Sequence, residues 1–171
     1  MKNIFRILFA FLLAFVFTVS CSKDDDDSGI KEGTGTVVID GKTTTLSYCV
    51  FMTTSYGGYE ITQIALGSSQ QNTASGEQLT ISIVNQKIEK KTYEINVDSN
   101  GISVIYSVYD QNNPDATKTY FSISGTVTLT SVSDKLINGD YDVTVQDYNK
   151  NTKTLKGSFS AKAVPNTTST K

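Results

Sequence analysis

In FSISGTVTLT, residues 121–130, apolar residues or glycine alternate strictly with serine or threonine. Successive side chains of a β-strand leave opposite faces, so this period of two is typical of a strand with one buried face. We therefore expect one face of this strand to enter a core. The residues predicted on that face are Phe121, Ile123, Gly125, Val127 and Leu129.

Two later segments repeat the alternation. Their predicted core faces are Tyr141, Val143 and Val145, then Leu155, Gly157, Phe159 and Ala161. The outer face of the first carries Asp140 and Asp142, and that of the second carries Lys156 and Lys162. Opposed Asp and Lys side chains on neighbouring strands are expected to pair, for a few tenths of a kcal/mol each.

Earlier segments show strand signals with less regular faces. Asp40-Gly41 predicts a two-residue hairpin. Residues 43–53 predict one long strand, apolar on part of both faces, which favours a central position covered on both sides. The strand predicted at 59–66 shifts its apolar phase halfway along, so we expect a β-bulge near Gln63.

No segment shows convincing helical periodicity, and about nine strands follow one another at short spacing, mostly through tight turns. This pattern predicts one all-β domain over residues 34–164, with a polar, loose tail at 165–171. We expect an antiparallel β-sandwich. A lipocalin-like closed β-barrel is the alternative that the sequence leaves open.

The N-terminus carries a leader pattern. Lys2 and Arg6 precede an apolar run at 7–19, about the length of a signal-peptide core and short for a spanning helix. Ser20-Cys21 follows, and this leader resembles the lipobox family of bacterial signal peptides, although Thr18 stands where that family usually has Leu. The resemblance implies removal of residues 1–20 and lipidation of Cys21. An uncleaved signal anchor is the alternative.

A charged stretch follows the cysteine: Ser22, Lys23, Asp24, Asp25, Asp26 and Asp27. Adjacent carboxylates repel one another and cannot pack, so we expect residues 21–33 to form a solvated tether. The tract also resembles the surface-export signal of lipoproteins in Bacteroidetes-type bacteria. That resemblance implies an outer-membrane lipoprotein, held by its N-terminal lipid and displayed at the cell surface.

A second resemblance covers mainly the last third of the chain. The blocks SGTVTLT at 124–130, INGDY at 137–141 and LKGSFS at 155–160 look like those of a family of uncharacterised Bacteroidetes lipoproteins. The resemblance implies a β-sandwich-like fold on a lipid tether. It brings no activity and no functional residues to transfer.

Composition excludes several chemistries. The chain has no His and no Trp, and Arg6 of the leader is its one arginine. Without His there is no Ser-His-Asp or Cys-His arrangement and no His-ligated zinc, and without Arg there is no bidentate clamp for phosphate. Loss of Lys2 and Arg6 leaves 13 basic against 17 acidic side chains, so no basic face serves nucleic acid. We predict no enzyme, no cofactor and no metal site.

Three chemical features have plainer interpretations. Cys49 lacks a histidine base and is expected to be an inert core thiol. The loop Asp110–Asp115 offers oxygen ligands for calcium, but Asp, Asn and Pro also favour turns. A glycosidase needs two carboxylates close together, and the sequence brings no two of Glu60, Glu77 and Glu94 together.

Tyr56 and Tyr59 flank Gly57-Gly58 and form the candidate ligand-binding surface. Two aromatic rings on a glycine-rich tip can stack on a sugar or contact a protein. The plainer interpretation is a turn whose tyrosines cover the edge of the core.

The functional expectation is a non-catalytic binding or structural lipoprotein whose ligand is a glycan or an envelope protein. One alternative is a lipocalin-like carrier, which predicts a cavity for an apolar ligand between the odd-numbered faces of the last three strands. Another is an accessory component of an envelope assembly.

Overall fold

The computed structural model describes residues 30–56, 58–68, 75–96, 101–110 and 112–164, with backbone alone for Tyr56 and Pro114. These residues form strands and one 3-10 turn, Pro114–Ala116, and contain no helix that could cross a membrane. The strands are β1 Thr34–Ile39, β2 Lys42–Leu46, β3 Tyr48–Tyr56, β4 Tyr59–Gly67, β5 Ser75–Val84, β6 Thr92–Asn96, β7 Ile102–Asp110, β8 Lys118–Val132, β9 Leu136–Gln146 and β10 Thr152–Ala163.

Seven of the strands close into a barrel. Hydrogen-bonded neighbours run β3-β4-β5-β7-β8-β9-β10, and β10 then pairs with β3. This last pairing is parallel and short, joining Lys162 with Val50 and Ala163 with Phe51, whereas the other pairings in the ring are antiparallel. The all-β prediction is confirmed, and the architecture is the closed-barrel alternative rather than two packed sheets.

The remaining strands cover two places where ring neighbours separate. β1 pairs with β10 over residues 156–160, just before β10 reaches β3, and β2 pairs with β1. β6 pairs with residues 124–128 of β8, beyond the segment of β8 that pairs with β7. β1 and β6 pair with backbone N–H and C=O groups of β10 and β8 that would otherwise lack a neighbouring strand. With β2, they bring the sheet to ten strands in the described residues.

The barrel interior is filled by side chains. Tyr141, Val143, Val145 and Leu155 face inward as predicted and are at most 3% exposed. Phe159 and Ala161 continue this face with no accessible surface, so they border no void that admits water. On the outer face Lys156 pairs with Asp142 at 2.7 Å, as the opposed charges predicted.

The strand quoted first, β8, departs from strict alternation. Its register against β9 shifts between Ser122 and Ser124 and again between Leu129 and Ser131, so it contains two irregularities of the β-bulge kind. Val127 and Leu129 are buried as predicted, but Phe121 is 37% exposed. The prediction for Phe121 is wrong because the extra residue moves the inward position to Tyr120, which is buried.

Gly125 lies directly after the first irregularity. Its φ is 122°, and an added Cβ would collide with the Asp142 carbonyl oxygen and lie 2.6 Å from the Val143 Cα. A residue with a side chain would be strained there and would also push β9 away.

Two predictions for the first half of the sheet are wrong. The predicted strand at 43–53 breaks at Ser47, and the break moves the buried set from Leu46 to Cys49 and Phe51. β3 is therefore covered on one side, and Met52 on its outer face is 45% exposed.

The bulge expected near Gln63 is also not found, because β4 keeps an unbroken register with both β3 and β5. The inward face of β4 includes Thr62, whose hydroxyl lies 2.9 Å from that of Thr53. The apolar pattern of the sequence changes phase here because Thr62, a polar residue, occupies an inward position of an otherwise regular strand. The Asp40-Gly41 hairpin is confirmed, with φ of 52° and 77° at the two residues.

We expect Phe159→Ala to lower the free energy of unfolding by about 3–5 kcal/mol, because it empties a site inside the packed barrel. Phe121→Ala should cost about 1 kcal/mol or less, since the Phe121 ring lies on the outer face, where it meets the exposed Tyr148 ring at 5.4 Å between centroids. Urea denaturation of both variants measures the difference. If both variants lost the same free energy of unfolding, Phe121 would have to be buried like Phe159, which would contradict its outward position on β8.

Candidate functional site

An open groove of about 1050 Å³ lies at one end of the barrel. We call it the mouth groove. Its apolar part is formed by Phe51, Ile88, Val132 and Ala163, with the more exposed Met52 and Val164 beside them. Ile88, Val132 and Ala163 also pack against the core cluster. The groove is therefore a gap above the packed interior rather than a cavity inside it.

Strand ends of unequal length produce this groove. β10 ends at Ala163, whereas its neighbour β3 continues to Tyr56. Opposite them, the second irregularity of β8 directs Val132 toward the core. Among the described residues, the wall that β10 forms between β3 and β9 is therefore lower than the hairpin of β3 with β4, and the apolar end of the core is open on that side.

The segment 85–91 joins β5 to β6 along the rim. The Asn85 amide donates to the Glu60 carbonyl at 2.9 Å, and the Glu89 amide donates to the Tyr93 hydroxyl at 2.9 Å. Near its end, the Leu129 amide donates to the Lys91 carbonyl at 3.0 Å. These bonds hold Ile88 over the core, so the groove has a defined wall.

The backbone of β3 has an open edge at the groove. β3 pairs with β4 along its whole length, but β10 meets it only at Val50 and Phe51. The Val164 amide donates to the Phe51 carbonyl at 2.9 Å, and no described strand pairs with β3 beyond that bond. Because alternate residues point their N–H and C=O to the same side, Thr53 and Ser55 present theirs to this open edge.

The charges on the rim are mixed. Glu60, Glu89 and Asp134 supply three carboxylates, and Lys87 and Lys90 supply two ammonium groups. This near balance gives no strong preference for an anionic or a cationic ligand. Apolar contact and backbone hydrogen bonding are the chemistry that the groove offers.

Of the two predicted ligand-binding tyrosines, Tyr59 does not line the mouth groove. Tyr59 is 56% exposed in the hairpin that joins β3 to β4, while the side chain of Tyr56 lies outside the described residues. The backbones of Tyr56 and Tyr59 form the last register pair of the hairpin between β3 and β4. The lipidation residue Cys21 and the export residues 22–27 also lie outside the described residues.

The carboxylates considered for glycosidase chemistry lie in three different places. Glu60 lies at the mouth groove, and Glu94 is exposed on β6. Glu77 lies at the opposite end of β5, where its Oε2 is buried and has no hydrogen-bond partner among the described residues. The pKa of Tyr106 is raised by burial and, next, by the nearby Glu77.

The loop Asp110–Asp115 uses its oxygens locally. The Asp110 Oδ1 accepts the Asn112 amide at 2.9 Å, and a 3-10 turn begins at Pro114. Gln111 lies outside the described residues. Within the residues that the structure does describe, no three His, Cys, Asp or Glu side chains are grouped so as to hold a metal ion. These bonds favour the turn interpretation.

Sequence reasoning missed the mouth groove. One signal was available: Ile88 is the single apolar residue in the charged run QKIEKK at 86–91, and a lone apolar residue there has a packing role to explain. The unequal ends of β3 and β10 had no local signal, because they depend on a pairing between distant parts of the chain. Comparison of the chain with protein-family models, curated proteins and solved structures found no match.

Cys49 has the surroundings of an inert thiol. It has no accessible surface, and burial raises its pKa to about 12. An unfolded thiol ionises near 8.5. The folded state therefore holds a proton that the unfolded state releases, and stability should fall as the pH rises from about 8.5 to about 12.

We expect iodoacetamide at pH 8.5 to modify Cys49 of the folded protein at least about 100-fold more slowly than that of the urea-unfolded protein, because the thiolate is the reactive form. Peptide-level mass spectrometry separates Cys49 from Cys21. Comparable rates in the two states would contradict the buried position.

Proposed function

We propose that the protein is a lipid-anchored, non-catalytic binding lipoprotein of the outer membrane, displayed at the cell surface, whose mouth groove binds an extended segment of another envelope protein. The observation that supports this most strongly is the open edge of β3 at Thr53 and Ser55, directly beside an apolar groove. Backbone groups that pair with none of the described residues, lying beside apolar side chains, are the features to which an extended peptide adds as a further strand.

An extended peptide suits both parts of the site. Its backbone pairs with the N–H and C=O groups of Thr53 and Ser55. Alternate side chains then point inward, toward Phe51, Ile88 and Val132. Affinity comes from main-chain bonds and specificity from the side chains in the groove, so the rim needs no strong charge.

The proposed anchor places this site near a membrane. Two or more acyl chains on Cys21 would give stable attachment, since each buried methylene contributes about 0.8 kcal/mol. Residues 21–33 would span roughly 40 Å if fully extended. The barrel can then reach partners in the envelope while the acyl chains on Cys21 stay in the bilayer.

A glycan ligand at the hairpin of β3 and β4 is a second candidate, and the exposed Tyr59 ring is the observation that favours it. The carrier alternative loses its predicted site, because the odd-numbered faces of the last strands are packed: Val127, Val145, Leu155 and Phe159 have no accessible surface. The third alternative, an accessory component of an envelope assembly, is compatible with a peptide ligand. In that case the bound segment would belong to another component of the same assembly.

A peptide-display library screened against the full chain tests the proposal. Ile88→Glu adds a charge inside the mouth groove, and we expect it to weaken binding of the selected peptide by about tenfold or more, because the charge would be held against apolar side chains. Tyr148→Glu is the matched control, since Tyr148 is 84% exposed outside the groove, and it should leave affinity unchanged.

The binding constants would be measured by isothermal titration. Selected peptides that bind both variants equally well would place the site elsewhere and reject the mouth groove. Binding of a glycan array that is lost on Tyr59→Ala would favour the second candidate instead.

A further inference from the structure

The outward side of one run of neighbouring strands carries no charged residue among the described positions. These strands are β3, β4, β5, β7 and the first part of β8, as far as Phe121. Their charged residues occupy the alternate positions, which point to the other side of the sheet: Glu60, Glu77, Asp110 and Lys118. Charged residues make up 19% of the chain, so an even scatter would place several on this side. We call it the neutral face.

Cross-strand register arranges the neutral face in rows. The central row is apolar apart from one threonine, and each member lies opposite the next: Val50, Ala65, Thr80, Ile105 and Phe121. The row on one side runs from Met52 through uncharged polar residues: Gln63, Ser82 and Ser103. The row on the other side runs from Tyr48 past Gly67 to a similar set: Gln78, Ser107 and Thr119. An apolar stripe therefore lies between two lines of amide and hydroxyl groups.

Two aromatic rings end the central row. Phe121 is 37% exposed, and Tyr148 in the turn between β9 and β10 is 84% exposed. Their centroids lie 5.4 Å apart, with 63° between the ring planes. The turn is held by Asp147, whose two carboxylate oxygens accept the backbone and side-chain amides of Asn151 at 2.8 Å each. The rings are therefore exposed yet held in place, so a ligand that stacks on them loses little conformational entropy.

The area of the neutral face limits what can bind there. Neighbouring strands lie about 4.8 Å apart and successive outward residues about 7 Å apart, so the rows cover roughly 20 by 15 Å. Each partner in a stable protein interface buries about 800 Å². The neutral face is well below that area, so it does not suit a stable dimer of this chain. A single narrow polymer laid along the central row fits it better.

We propose that the neutral face binds an uncharged glycan chain along its central row. The apolar faces of sugar rings stack on Phe121 and Tyr148 and pack on Ile105. Sugar hydroxyls both donate and accept hydrogen bonds, as the Gln, Ser and Thr side chains of the flanking rows do. A uronate-rich glycan would find no cation on this face, so uncharged sugars are preferred. This site is separate from the mouth groove and does not rest on the proposed function.

A glycan array probed with the full chain tests the proposal. The neutral probes are linear fragments of glucan, mannan, galactan and xylan, and fragments of polygalacturonate are the charged probe. We expect a neutral polymer to bind and polygalacturonate not to bind. Phe121→Ala and Tyr148→Ala should each weaken the bound polymer by about three- to tenfold in isothermal titration, because each removes a stacking ring.

Tyr59→Ala is the matched control. It removes a tyrosine that is 56% exposed but lies about 20 Å along β4 from the central row, so affinity should be unchanged. Loss of binding with Tyr59→Ala alone would assign the sugar to the hairpin and overturn the inference. Because Tyr148 lies outside the core, its variant also separates lost stacking from lost folding.

Three further results would overturn the inference: no neutral polymer binds, polygalacturonate binds equally well, or both ring variants bind as the unaltered chain does. Self-association in analytical ultracentrifugation that Phe121→Ala abolishes would assign the neutral face to a second copy instead. A peptide selected for the mouth groove should bind Phe121→Ala and Tyr148→Ala normally. The glycan site and the proposed function can therefore fail separately.

Discussion

The short parallel pairing of β10 with β3 is the constraint on which the rest of the structure depends. It joins Lys162 and Ala163 to Val50 and Phe51, and it is what turns an antiparallel sheet into a closed ring. Closure lets the inward faces of all seven ring strands bury one another. Because the described residues pair with this edge of β3 only as far as Phe51, the same contact borders the edge at the mouth groove.

The pairing is short because β10 is shared between two neighbours. β1 occupies its edge over residues 156–160, where the hairpin of β1 and β2 is fixed by the Asp40-Gly41 turn. The Tyr141 hydroxyl reaches from β9 to donate to the Thr36 carbonyl at 2.6 Å, which ties this hairpin to the barrel. β1 therefore occupies the part of the β10 edge that does not reach β3, on the side away from the mouth groove.

Much of the fold could be predicted from the sequence wherever strands alternate without interruption. The inward residues of β9 and β10 follow from the alternation of apolar and polar residues alone, and so does the pairing of Asp142 with Lys156. Prediction failed where backbone irregularity changes the phase, at Phe121 and at Ser47, because local sequence does not reveal which partner strand imposes the shift. Ring closure and the mouth groove were beyond reach for a related reason: both depend on where two distant strands end relative to each other.

The closed barrel depends on the parallel pairing of β10 with β3 at Val50 and Phe51. The most direct test is a ¹⁵N-edited NOESY spectrum that looks for cross-strand contacts between backbone protons of residues 50–52 and those of residues 162–164. The structure predicts strong contacts of the parallel type, which join Val50 with Lys162 and Phe51 with Ala163 and Val164. A folded protein in which these contacts are missing would have an open sheet, and neither the closed barrel nor the mouth groove would exist as described.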